Sequence, residues 1–213
     1  MFWYLYNFLK IYLMRIIFAF VLSCFCSFSY AQSLEYEIAA GTGITYMVEN
    51  ADKTIDISYH APVTIATGLK YTPQNSHFGV LLRYQYTNTN VDGQKWFDTF
   101  QFFDAIVDDN SLFLMLEYLR ENDKKLNVGA NFGFGFTKQI IKFTSENYSM
   151  ENYYPSLNFS AIAAYHINSR LSIRLQPGVQ FSDPINGLKI KPYNFAKEDI
   201  HFLTLLGISL KLL

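Results

Sequence analysis

Lys125 to Thr137 reads KLNVGANFGFGFT. Leu126, Val128, Ala130, Phe132, Phe134 and Phe136 share one parity, and Asn127, Gly129, Asn131, Gly133, Gly135 and Thr137 share the other. Successive side chains of a strand point to opposite faces, so this stretch is a strand between two unlike environments. A soluble sandwich crowds its bulky residues against a core. Here the opposite face is too small and too polar to be one. The pattern fits a barrel turned inside out, with aromatics toward lipid and small polar residues toward a crowded lumen.

Working outward, seven further stretches alternate in the same way: about 34–48, 61–71, 77–87, 111–120, 155–167, 170–181 and 199–213. Three connections between them are short, at 72–76, 121–124 and 168–169. The other four are long, roughly 49–60, 88–110, 138–154 and 182–198. Short and long alternate, as in an outer-membrane barrel with tight turns on the periplasmic side and long surface loops. An open sheet would leave edge N–H and C=O groups in hydrocarbon at several kcal/mol each, so the first strand must pair with the last. The expected fold is all-β: a closed, antiparallel, eight-stranded, up-and-down transmembrane barrel with both termini periplasmic. Glycines at 41, 43, 68, 79, 129, 133, 135, 178 and 207 have the inward parity and are expected to make room for long charged side chains.

Composition agrees. Aromatic residues make up 18% of the 213, which suits interfacial girdles. The formal net charge of −1 shows no nucleic-acid footprint. Arg15, the apolar run 16–22 and Ser29-Tyr30-Ala31 read as an export signal cut before Gln32, over residues 1–31, with the barrel domain over 32–213. The residues ahead of Met14 lengthen that signal, so the true start is expected at Met14. Both cysteines, Cys24 and Cys26, fall inside it, which leaves the exported chain without thiol chemistry.

The stretch Tyr165 to Gly178, read YHINSRLSIRLQPG, resembles the turn and penultimate strand of small outer-membrane barrels of Bacteroidota, the porin-family β-barrel domains. Lys191-Pro192-Tyr193 and the closing Leu206 to Leu212 continue the likeness. It implies residence in a Gram-negative cell envelope and says almost nothing about activity. Gly207, Leu210 and Leu212 are also similar to a barrel-assembly signal, although Leu205 and Leu213 stand where that signal has a polar and an aromatic residue. The barrel-assembly machinery is therefore an expected partner during biogenesis, and outer-membrane lipid and lipopolysaccharide are expected surroundings.

Reactive chemistry is sparse. His60, His77, His166 and His201 are scattered without metal-ligand spacing, and no cofactor or metal is expected. His166-Ile167-Asn168-Ser169 has the wrong order for a lipid A deacylase run and reads as a turn. Glu35, Glu37, Lys70, Arg83, Glu117, Arg170, Arg174 and Lys211 all carry the inward parity. Buried charges persist only when paired, so they are expected to form an ionic plug in the lumen. The loop 88–110 holds Trp96, Phe97, Phe100, Asp104, Asp108 and Asp109. These residues are candidates for binding a protein, a ligand or cation-bridged lipopolysaccharide, with packing over the mouth or strand extension as the other readings. The functional expectation is a non-enzymatic envelope barrel. The alternatives are a small passive pore and a lipid A-modifying enzyme.

Overall fold

Period-2 alternation carries over into the backbone. The computed structural model describes residues 31–46, 56–74, 76–94, 102–120, 125–144, 149–183 and 200–212. Apart from Ala31, the expected signal segment lies outside them, as do Trp96, Phe97 and Phe100. Among the described residues there are nine strands: β1 (Ala31–Tyr46), β2 (Asp56–Tyr59), β3 (Val63–Pro73), β4 (Phe78–Gln94), β5 (Phe102–Arg120), β6 (Leu126–Phe143), β7 (Ser149–His166), β8 (Leu171–Ser182) and β9 (Ile200–Lys211). Every pairing is antiparallel. β1 pairs with β9 from Glu35↔Lys211 to Tyr46↔Ile200, and β4 pairs with β5, so the sheet closes on itself. β2 is not a ninth wall. It pairs with β4 at Ile57↔Gly93, directly beyond the β3–β4 pair Val63↔Asn88, and continues the line of β3 past Pro62, which has no N–H for a ladder. The barrel has eight walls.

Its faces are inverted relative to a soluble protein. Leu114 is 61% exposed, Phe136 65% and Phe132 53%, whereas Arg83 is 1%, Glu117 1% and Arg174 2% exposed. A continuous outer belt of large apolar residues in water would far exceed the few hundred Å² that soluble monomers tolerate. Such a belt belongs in hydrocarbon, and closure removes the edges that hydrocarbon forbids.

The strands run further than the periodicity suggested. The connections expected at 88–110 and 138–154 are largely strand, because β4 and β5 stay paired to Gln94↔Phe102 and β6 and β7 to Lys142↔Ser149. The reason is a change of face. Along β5 the apolar outward residues Leu112, Leu114 and Leu116 give way to Asn110, Asp108 and Asp104, while Ala105 and Val107 turn inward. Along β6, Phe136 gives way to Lys138 and Lys142, with Ile141 inside. Val91, Ala105, Val107 and Ile141 form a buried cluster joined by Tyr59, Phe143 and Met150. The same strands are therefore inside out below this level and apolar-in above it, where the outer face turns mostly polar but keeps Ile106, Ile140 and Tyr153. The change marks where lipid ends and water begins. Among the described residues β1 ends at Tyr46 and β8 at Ser182, whereas the wall of β4 to β7 continues past that level. At about 3.3 Å per residue this wall stands on the order of 20 Å along its strands.

Connections at the opposite end are short, as expected. In the turn between β7 and β8, Asn168 Oδ1 accepts the N–H groups of Arg170 and Leu171, each at 2.8 Å. This is the local bonding that the Asn-Ser pair implied.

Candidate functional site

The lumen is the chemically distinctive part. Inward parity puts Glu35 and Glu37 on β1, Lys70 on β3, Arg83 on β4, Glu117 on β5 and Arg174 on β8. Strand register then sets them at one height. Arg83 donates to Glu37 Oε1 through Nε at 2.9 Å and Nη2 at 2.6 Å. Arg174 Nη1 reaches Glu37 Oε2 at 3.1 Å, and its Nη2 bonds Glu117 Oε2. Lys70 Nζ lies 3.1 Å from Glu117 Oε1 and 2.9 Å from Glu35 Oε2. Ser209 caps the string with a 2.8 Å bond to Glu35, and Gln176 Oε1 accepts from Arg83 at the other end.

The order Glu35–Lys70–Glu117–Arg174–Glu37–Arg83 alternates in sign across the bore. Three cations meet three anions, so no net charge is left buried. Breaking such a string costs far more than forming it gains, because any missing partner strands a charge.

Six of the eight expected lumen charges are thus together. Arg170 is not among them: it is exposed in the β7–β8 turn, where the chain has left the barrel wall. Lys211 has the inward parity but lies at the end of β9 and is only half-buried. The inward glycines also serve differently from expectation. A Cβ at Gly133 would stand 2.5 Å from Met115 Cγ, one at Gly135 2.6 Å from Phe113 Cδ1, and one at Gly68 2.8 Å from Leu81 Cδ1. These glycines seat an apolar plug of Leu81, Phe113 and Met115 beside the ionic string. Only Gly79 makes room for a charged side chain in the expected way, with Lys70 Cγ at 3.3 Å. Large inward apolar residues opposite glycines were the sequence signal for this plug.

Above the string the lumen is lined by uncharged polar groups. Gln85 Nε2 crosses the bore to Gln180 Oε1 at 2.8 Å. Ser111, Thr137 and Ser156 form a hydroxyl row with 2.7 Å spacings. His201 contacts Thr45 through Nδ1 at 2.9 Å and Ser182 through Nε2 at 3.2 Å.

The acidic run does not converge. Asp104 faces outward and is exposed, Asp108 faces outward and Asp109 faces the lumen, because neighbours on a strand diverge. A shared cation site is ruled out for Asp108 and Asp109 by that geometry. Asp108 Oδ1 instead accepts from Tyr86 at 2.6 Å and Asn88 at 2.8 Å, and Oδ2 from Lys142 at 2.8 Å. Burial would raise its pKa, but these bonds hold it below the ordinary carboxylate value.

Asp109 lies one residue beyond Asn110, outside the apolar belt. Burial pushes its carboxyl up to about 7, although Gln139 and Tyr154 offer it hydrogen bonds. A raised folded-state pKa favours the folded protein at low pH, and that contribution fades as pH climbs from about 4 to about 7. Folding stability of the wild type is therefore expected to fall between about pH 4 and about pH 7. In Asp109→Asn this part of the slope should vanish in urea titrations at several pH values. An unchanged slope would remove Asp109 as its cause.

The histidines occupy four separate places. His60 pairs with Asp92 at 2.7 Å on the outside of the tall wall, and His166 meets Asn127 at 3.0 Å at the turn end. His77 lies edge-on to Tyr118. Among the described residues, no cluster of His, Cys, Asp or Glu could hold a metal.

Fold and lumen together define a transmembrane β-barrel of the outer-membrane kind with a filled bore. No protein-family model and no curated protein matches the sequence. Solved structures do match the fold. Neisserial surface protein A aligns with 7% identity over 83% of this chain and 96% of that one, with a TM-score of 0.57. A major outer-membrane protein of Thermus thermophilus aligns with 14% identity over 84% and 99%, at 0.53. The outer-membrane protein OprG of Pseudomonas aeruginosa aligns with 10% identity over 85% and 97%, at 0.50. At such identities the likeness is one of fold.

Proposed function

We propose that this protein is an integral outer-membrane barrel with a sealed lumen that acts through its surface outside the membrane. The single observation that carries this is the sign-balanced string from Glu35 to Arg83, which fills the bore together with Leu81, Phe113 and Met115. An eight-stranded barrel has an interior only wide enough for side chains to fill, and here they fill it. The short turns and both termini then face the periplasm, and the tall wall faces outward. An export signal over 1–31, assembly through Gly207, Leu210 and Leu212, and contact with lipopolysaccharide belong to this reading. The likeness of 165–178 to barrels of Bacteroidota supports the same placement. The widely separated histidines and the inaccessible Ser182 argue against the enzymatic alternative.

Planar-bilayer recording separates a plug from a pore. The purified wild type should show no stable conductance steps. Steady steps that disappear on altering Arg83 or Arg174 would establish a pore and reject the sealed reading. Mass spectrometry of lipid A from a deletion strain should match the parent, and an altered acylation pattern would favour the enzyme.

A further inference from the structure

The barrel wall is interrupted at one place between β7 and β8. Their pairing runs down to Ser160↔Gly178 and resumes at Ala163↔Leu175, passing over Ala161 and Ile162 on one strand and Gln176 and Pro177 on the other. Pro177 is the cause. Asp183 N–H donates to Pro155 O, and residues of that parity face each other across the seam, so the register sets Pro177 opposite Ala161. Proline has no N–H to give the Ala161 carbonyl. An unmet carbonyl inside the apolar belt is costly, so this one calls for a donor from elsewhere.

The inner face carries further unmet groups beside this seam. Among the described residues, four buried side-chain atoms have no hydrogen-bond partner: Asn131 Nδ2, Asn158 Oδ1, Arg174 Nε and Gln85 Oε1. Asn131 lies opposite Ser160, and Asn158 lies opposite Gly133. The two asparagines are therefore diagonal neighbours on one face, within reach of a bridging molecule. Ser160 Oγ donates to Asn131 Oδ1 at 2.6 Å, which leaves Nδ2 over. Arg174 bonds Glu117, the residue opposite Asn131 on β5. Gln85 reaches Gln180 at 2.8 Å, and Gln180 lies opposite Asn158. The four atoms thus converge on the β6–β8 side of the bore, which the apolar plug on β4 and β5 does not fill. Asn158 faces the bore yet keeps 6% of its surface accessible, so there is room beside it.

We infer that this seam is an internal water site, in which water bridges Asn131 Nδ2 to Asn158 Oδ1. The donor set selects the ligand. Asn131 and Arg174 offer N–H groups, whereas Asn158, Gln85 and the Ala161 carbonyl offer oxygens. An anion could use only the former and a metal cation only the latter. The ionic string next to them is neutral and favours neither sign. Water donates and accepts at once, and buried water is held by such groups. The inference deepens the sealed reading and rests on it: the bore is closed to ions without being dry.

The test uses the full barrel, isotopically labelled, in detergent micelles. Water-selective NOE spectra should show contacts at the Asn131 Nδ2 protons and at Arg174 Nε–H. Arg83 Nε–H, which Glu37 accepts at 2.9 Å, should show none. Ser160→Ala removes the exchangeable hydroxyl beside Asn131 and should leave the Asn131 contact in place. Asn158→Leu keeps the volume and removes the acceptor, so the contact should disappear and the urea midpoint should drop. Heat-modifiable migration on gels checks that both variants fold.

No water contact at Asn131 in the wild type would overturn the inference. So would a contact that vanishes in Ser160→Ala or survives in Asn158→Leu. A midpoint that stays or rises in Asn158→Leu would do the same, because removing a dry, unmet acceptor costs nothing. A silent bilayer recording with no contact at Asn131 defeats this inference alone. Conductance steps with water at Arg83 as well would defeat the sealed reading.

Discussion

Glu37→Met is expected to destabilise the barrel by about 3–5 kcal/mol, the cost of stranding buried charge. Glu37 accepts from Arg83 and Arg174, and Gln176 adds a weaker 3.5 Å bond. Without it, two guanidiniums share a lumen that has lost one of its three anions. The alternating order makes a sharper statement. Glu37→Met combined with Arg83→Met deletes one anion and the terminal cation, leaving Glu35, Lys70, Glu117 and Arg174 balanced. The double variant should recover most of the loss, so the two substitutions should be strongly non-additive. The readout is the urea midpoint for unfolding from lipid vesicles, checked by heat-modifiable migration on gels. Additive losses would mean that the string is not a coupled unit.

Phe132→Arg should cost about 2–4 kcal/mol in a bilayer, the penalty for a cation on the lipid face near the membrane midplane. Phe132 stands midway along the outward row Leu126 to Phe136, and its cross-strand neighbours are Leu116 and Phe159. All three are about half exposed in the isolated chain. In water, replacing an exposed phenyl by a guanidinium would be close to neutral and would improve solubility. The sign of this one substitution therefore reports whether the belt meets acyl chains. Asn110→Arg, at the height where the outer face turns polar, should cost little. If Phe132→Arg folds into vesicles as well as the wild type does, the membrane placement fails.

Most of the barrel was legible because alternation is a local property. Each strand states in its own letters which side is apolar, as Phe132, Phe134 and Phe136 do against Gly133 and Gly135. The inverted pattern and the need to close an edge in hydrocarbon then leave few folds. Legibility failed where the pattern changes parity. Ala105-Ile106-Val107 and Ile140-Ile141 hold apolar residues on both faces, so strands that merely change solvent have the letters of loops. The signal was there, since Val107 and Ile141 are two positions of inward parity beyond the polar Asp109 and Gln139. Its meaning depends on where the lipid ends, which no single strand records.

The sequence by itself determined strand identity, the orientation of each face and the set of charges that had to be enclosed. These depend only on the two-residue repeat and on the cost of burying charge. Tertiary structure alone decided which charges meet. Glu37 and Arg174 are brought within 3.1 Å because β1, β9 and β8 pair in one register, whereas Arg170, in the turn before β8, stays outside. Register and closure are long-range properties, set by the whole ring at once. For that reason the plug and the tall wall appear only when the sheet is complete.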